Sequence, residues 1–156
     1  MMHALAPRAT ARTRSAGALV AVVLMAVALT GCMGSQERTF FDRTNAVRSS
    51  VGVRQLAEND TLNKKAEGWA RHMASTGRLE HSSLSSGLSS LSWSLLGENV
   101  GYSSPTSNTL LSIHNKFASS PGHRANLVNS RFTHMGVGVA TDSRGRVWVV
   151  EVFARL

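Results

Sequence analysis

A single cysteine, Cys32, limits what this 156-residue chain can fold into, because no disulfide can form within it. Any domain has to rest on its apolar core. Cys32 ends a leader-like segment. Arg8, Arg12 and Arg14 open the chain with no acidic residue among them, and an apolar run follows from Ala16 to Leu29. The run is about 14 residues long, the size of a signal-peptide core and short of the roughly 20 that span a bilayer as a helix. Past Cys32 the chain turns polar at once with Ser35-Gln36-Glu37-Arg38. This layout predicts a leader over 1–31, an anchor and short tether over 32–37, and one folded domain over 38–156, the single domain that the length suggests. Such a domain buries a sufficient core without staples.

Leu29-Thr30-Gly31-Cys32 resembles the bacterial lipobox, in which the cysteine thiol is acylated with diacylglycerol and becomes the first mature residue. Lipidation of Cys32 then implies an extracytoplasmic protein held on a bacterial membrane by lipid, since a diacylglycerol plus an N-acyl chain buries enough methylene groups for stable anchoring. An ordinary secretory leader with Cys32 as an incidental thiol is the alternative, and a membrane-spanning anchor is a third. The position, the flanks and the single cysteine favour the lipoprotein.

The chain carries 17 Lys and Arg against 9 Asp and Glu. Beyond the leader only Lys64 and Lys65 are adjacent, and no basic stripe alternates with aromatics, so no nucleic-acid partner is expected. A mildly cationic body suits an anionic envelope surface. A monomer is expected.

Periodicity predicts a helix over 37–50, with Phe40, Thr44, Val47 and Val51 on one face. Asn59-Asp60 caps a second helix whose Leu62, Ala66, Trp69, Ala70 and Met73 form the stripe to be buried, and Gly77 closes it. The uncharged, serine-rich stretch Ser82–Ser94 reads as a long surface loop. A third helix is predicted from about Ser107, with Leu110, Ile113, His114 and Phe117 on one face. Ser119-Ser120-Pro121 then reads as a cap and first-turn proline for a short fourth helix carrying His123 and Leu127. Two strands finish the chain. Met135, Val137 and Val139 alternate with Gly136, Gly138 and Ala140, the turn is Asp142-Ser143-Arg144-Gly145, and Val147–Phe153 reads as an interior strand. Helices with a small antiparallel sheet make an α/β or α+β sandwich.

Three residues could carry chemistry. His81 follows the second helix, His123 sits in Ser120-Pro121-Gly122-His123-Arg124, and Glu98 lies between them in the tight, glycine-bounded segment Gly97-Glu98-Asn99-Val100-Gly101. Two neutral imidazoles and a carboxylate from three segments can hold a divalent metal such as zinc, with water in the fourth position. No local motif ties these residues together, so a set of hydrogen bonds that pins loops is the other reading. Glu151, an acid in an apolar strand, is expected at a sheet edge or beside an arginine, with an approach to the cleft as the other reading. His114 reads as a core histidine, His134 as structural, and His72 as part of a polar face.

Asn45 and Arg48, the second-helix stripe, Leu79-x-His81-Ser82, Gly97-Glu98-Asn99-Val100, Ser120-Pro121-Gly122-His123-Arg124 and His134–Ala140 occur in the order seen in bacterial proteins of the CAP superfamily. That superfamily takes in the SCP-like cysteine-rich secretory, antigen 5 and pathogenesis-related 1 proteins. The resemblance spans about residues 40–154 and implies a three-layer α-β-α sandwich. It also implies a central cleft lined by His81, Glu98 and His123, with the two histidines as zinc ligands. The family's second glutamate follows an aromatic of the third helix by three residues, and here Ser120 stands at that distance from Phe117.

A binding module for a lipid, sterol or cell-envelope component is the favoured function. The alternatives are a hydrolase of peptides or wall material and a purely structural envelope protein. No Gly-x-Ser-x-Gly occurs, so a hydrolase would use a metal-activated water with Glu98 as base, or a serine beside one of the histidines.

Overall fold

The computed structural model describes residues 33–156, so the leader, the lipobox and Cys32 lie outside the described residues. Helix α1 (Ser35–Ser50) is followed by the short strand β1 (Ala57–Glu58) and helix α2 (Asp60–Thr76). A long connection leads to β2 (Leu95–Ser103), α3 (Thr109–Ser119), α4 (Pro121–Leu127), β3 (His134–Thr141) and β4 (Val147–Arg155). The strands form one sheet in the order β1-β3-β4-β2, in which β1 pairs with β3 in parallel and the other pairs are antiparallel.

The helix boundaries follow local chemistry. The Asn59 side chain accepts the Thr61 and Leu62 amides at the start of α2. Gly77 ends that helix with φ +69°, a left-handed conformation that a side chain would strain. Asn108 caps α3 in the same way as Asn59. Ser120 stands at the cap position of α4 ahead of Pro121, but its hydroxyl makes no cap bond.

The sheet separates two cores. Leu62, Ala66, Ala70 and Met73 of α2 pack with Trp148, Val150 and Val152 on one face. On the other face Phe40, Ile113, Phe117 and Leu127 from α1, α3 and α4 pack with Val149 and Phe153. This is the α-β-α sandwich, and β4 is its buried interior strand. The minimal bulk on one side of β3 has a direct purpose. A Cβ at Gly136 would lie 2.2 Å from the Leu62 backbone, and one at Gly138 would lie 2.2 Å from that of Ala66. The backbones of α2 and β3 are therefore in direct contact.

Several expectations are corrected. Gly97–Gly101 is not a tight segment but the middle of β2. Its glycines are needed because Phe132 and Phe117 come within 2.7 Å and 2.6 Å of where a Cβ would stand. Strand β1 escapes a periodicity reading because it is two residues long. Ser82–Ser94 is not all surface, since Leu88 is fully buried in the core beside α2. Trp69 is half-buried rather than central, with Nε1 donating to the Glu80 carbonyl and its ring stacked on His72. Arg48 is buried with no carboxylate partner and donates to the carbonyls of Arg54, Leu127 and Asn129, while Asn45 bonds both backbone groups of Leu56.

Glu151 lies neither at a sheet edge nor beside an arginine. It is fully buried on β4, where it accepts hydrogen bonds from Thr44 Oγ1 (2.5 Å) and Asn99 Nδ2 (3.1 Å). Burial pushes its carboxyl up to about 7, against the pull of those two donors. The unfolded chain gives up this proton near 4.5, so the associated stability is complete below that pH and is lost as pH rises through 7.

Two outcomes are expected. Gly138→Ala should cost about 3 kcal/mol or more in urea unfolding, because the clash is with helix backbone that cannot rotate away. An unchanged midpoint would mean that α2 is not seated on β3. Glu151→Gln removes the charge, keeps an oxygen for the Asn99 amide and turns the Thr44 hydroxyl into an acceptor of the new NH2. It should raise stability near pH 8 by roughly 2 kcal/mol and flatten the decline between pH 5 and pH 8. A variant that follows the parent at every pH would show that Glu151 does not titrate in this range.

Candidate functional site

Strand β2 has β4 on one side and, among the described residues, an open edge on the other. Leu96 and Val100 belong to the core facing α2, so Glu98 between them points to the same layer. Gly97, Asn99 and Gly101 face the layer of α3 and α4, where Gly97 meets Phe132 and Asn126, and Gly101 meets Phe117.

His81 reaches Glu98 from the α2 side. After Gly77 the chain turns back along α2, held by the Trp69 bond to Glu80 and by the His72–Glu80 pair (3.2 Å). Glu98 Oε1 is then shared by His81 Nδ1 (2.8 Å) and the Ser82 amide (2.9 Å), and Oε2 accepts from Ser82 Oγ (2.5 Å). The Glu98 side chain is 1% exposed and that of His81 is 65% exposed. The carboxylate is therefore a buried mount, and the imidazole is the group presented to solvent through Nε2. Lys65 lies close enough for Glu98 to favour its charged form, although partial burial lowers its proton affinity overall.

His123 comes from the opposite layer. Its ring stacks on Phe117 at 4.6 Å and 23°. Nδ1 is buried without a hydrogen-bond partner of good geometry. Burial holds the His123 imidazole below the ordinary histidine range, the approach of the Val100 backbone partly offsets this, and the proximity of His81 lowers it further. Helix α4 is stapled to β2 by amides. Asn126 Nδ2 donates to Asn99 Oδ1 (3.0 Å) and the Glu98 carbonyl (3.1 Å), and Asn99 Nδ2 donates to the His123 carbonyl (3.2 Å) and to Glu151. The two histidines thus come to the open edge of β2 from opposite faces of the sheet.

Of the sequence candidates, His81, Glu98 and His123 come together, while His72, His114 and His134 lie elsewhere. His114 is buried edge-on to Phe40 and pushed down to about 4, first by burial and then by the Arg43 charge. His134 pairs with Thr133. Asn126 carries no signal in the sequence, whereas Ser82 stands out there only as the hydroxyl next to His81 in Leu79-x-His81-Ser82. For a divalent cation the donor set is two imidazoles, largely neutral at pH 7 in the case of His123. Glu98 stands behind His81 rather than as a third ligand. Among the described residues no three His, Cys, Asp or Glu side chains gather to hold a metal, so a cation would complete its shell with water or ligand atoms.

The model of the cysteine-rich secretory protein family, CAP, matches residues 41–153. The Bacillus subtilis protein YkwD is 26% identical over 130 residues, covering 79% of this chain and 49% of that protein. An extracellular protein containing an SCP domain from Bacillus anthracis superposes with a TM-score of 0.65 at 27% identity, covering 78% of this chain and 40% of that one. This chain therefore spans about half the length, or less, of both. An outer surface protein of Borrelia burgdorferi has a TM-score of 0.66 at 17% identity, covers 77% of this chain and 92% of that one, and shares the fold. With a family match that runs through all three segments of the site, and a sheet-and-helix order shared with solved SCP domains, the chain belongs to the cysteine-rich secretory protein family, in its bacterial form.

Proposed function

We propose that this is an extracytoplasmic binding domain, lipid-anchored at Cys32, whose His81/His123 cleft takes a divalent cation of the zinc class. That cation would help retain a lipid, sterol or cell-envelope component. The observation that carries binding over hydrolysis is the state of Glu98. Both its oxygens are engaged by His81 and Ser82, and the side chain is all but inaccessible, so it is not free to deprotonate a water. Ser82 Oγ likewise donates to the carboxylate and not to an imidazole, which is not the arrangement of an activated nucleophile.

The residues suit a cation in two respects. Glu98 holds His81 Nδ1 and leaves Nε2 as the lone-pair donor, the usual arrangement behind a metal-binding histidine. The His123 imidazole is held below the ordinary histidine range by burial, and with Nδ1 buried beside the Val100 backbone its Nε2 is the nitrogen left to donate a lone pair. When bound, such a cation supplies a Lewis-acidic point that holds an anionic group of the ligand. The export layout of residues 1–31 supports the extracytoplasmic location, in keeping with the Bacillus anthracis relative described as extracellular.

Native mass spectrometry and calorimetry of residues 33–156 with zinc test the reading. One zinc per chain is expected, absent from His81→Ala/His123→Ala. Uptake should fall away in acid as the His123 imidazole, held below the ordinary histidine range by burial, takes up its proton. Glu98→Gln should weaken zinc affinity about 10- to 100-fold by taking away the carboxylate charge behind His81. Equal zinc in the parent and the double variant, or none in either, would end the metal reading. Turnover of a peptide or wall substrate that vanishes in Glu98→Gln with zinc retained would replace binding by hydrolysis.

A further inference from the structure

The cleft uses only the start of the segment after α2, yet the rest of Ser82–Ser94 is ordered in a particular way. Three turns are closed by Ser86 N–H to Ser83, Leu88 N–H to Ser85 and Leu91 N–H to Leu88. Leu88 plugs into the core, and Lys65 Nζ donates to the carbonyls of Ser83 (2.8 Å) and Ser86 (3.1 Å). The loop is thus pinned from inside and from outside. Leu84 and Trp93 nonetheless remain 37% and 40% exposed.

Topology brings these side chains to one end of the domain. Because α2 passes Gly136 with Leu62 and Gly138 with Ala66, its first turns lie at the end where β3 begins. Lys65 draws the Leu84 turn to that end. Ser94 N–H bonds to the Arg155 carbonyl and Leu95 pairs with Arg155, so Trp93 stands where β4 finishes, beside the start of β3. Leu156, 38% exposed, follows Arg155 and bonds Thr133 there. Met33 and Gly34, the first described residues, line a depression with Asp60, Asn63 and Lys64 of the same α2 turns. Leu84, Trp93 and Leu156, three of the six exposed large apolar side chains among the described residues, therefore lie toward the end of the sheet where β3 begins.

Lys64 and Arg155 are exposed at this end, Lys65 is bonded inward to the loop carbonyls beside Glu98, Glu58 is paired with Arg38 and Glu67 with Arg71, and Asp60 and Glu37 remain. An exposed tryptophan and aliphatic tips on an uncharged, pre-ordered loop, bordered by lysine and arginine, match the interface of an anionic bilayer. A glycan would instead call for flat aromatic faces, and two of the three exposed groups are aliphatic.

We propose that this end of the domain, led by Leu84 and Trp93, is a membrane-contact surface that seats the domain on anionic lipid. It stands independently of the cation cleft and of the anchor. Residues 33–156 carry the described sheet and both described cores, and this fragment is tested unlipidated with a cooperative thermal transition as the check that it is folded. With vesicles of phosphatidylcholine containing phosphatidylglycerol, the domain should co-sediment, bind less as salt rises, and show a blue shift of tryptophan emission. Leu84→Ser/Trp93→Ser should unfold at the same temperature as the parent, lose the blue shift, and partition about tenfold or more less strongly. No vesicle binding by the parent, equal binding by the double variant, or retention on wall glycan without vesicle binding would each overturn the proposal.

Discussion

The closeness of α2 to β3 is the constraint on which the rest of the structure depends. With no disulfide available, the sandwich is held by packing alone, and it packs helix backbone on strand backbone at Gly136 and Gly138. That contact fixes the height and direction of α2 across the sheet. The returning segment after Gly77 then has one course, back along α2, which carries His81 and Ser82 to Glu98. On the opposite layer the aromatic rings of Phe117 and Phe132 fill the space left by Gly101 and Gly97, and this lets α3 and α4 press His123 against the same strand. Four glycines on two strands thus set the distances from which the site is built.

The site is a property of an edge strand. An exposed strand edge is a hazard for pairing with other chains. Here imidazoles approach that edge from both faces, and asparagine amides tie α4 to β2. The network runs inward as well: Asn99 links the His123 carbonyl to Glu151, and Glu151 links to Thr44 of α1. A buried carboxyl at the centre of the sheet therefore shares hydrogen bonds with the backbone that carries His123. Such a network is worth keeping only when every member is satisfied.

The helices were legible in the sequence because their caps and stripes are local: Asn59, Gly77 and Pro121 mark boundaries in the chain itself. Strand β3 was legible from alternation, and β4 from an apolar run on both faces. Strand β2 was not, because its glycines mimic turn signals when they in fact make room for aromatic rings. Glu151 was misread for a related reason, since its two donors, Thr44 and Asn99, are far away in sequence and no spacing announces them. His81, Glu98 and His123 could be nominated, but the role of Glu98 could not be assigned. Its engagement by the Ser82 amide and hydroxyl depends on where the returning segment lies, which is tertiary information. The apolar tips of the serine-rich loop were visible as residues, whereas their gathering at one end of the sheet follows only from the direction of α2.

The central claim is that His81 and His123 share one cleft at the open edge of β2. NMR titration of the imidazole protons of residues 33–156, in the parent and in His81→Asn, tests it most directly. The account predicts a His123 midpoint below the ordinary histidine value of 6.5 that rises when the His81 charge is removed. A His123 midpoint that ignores the His81 substitution would contradict it, because the two rings would then have no electrostatic contact and no common site.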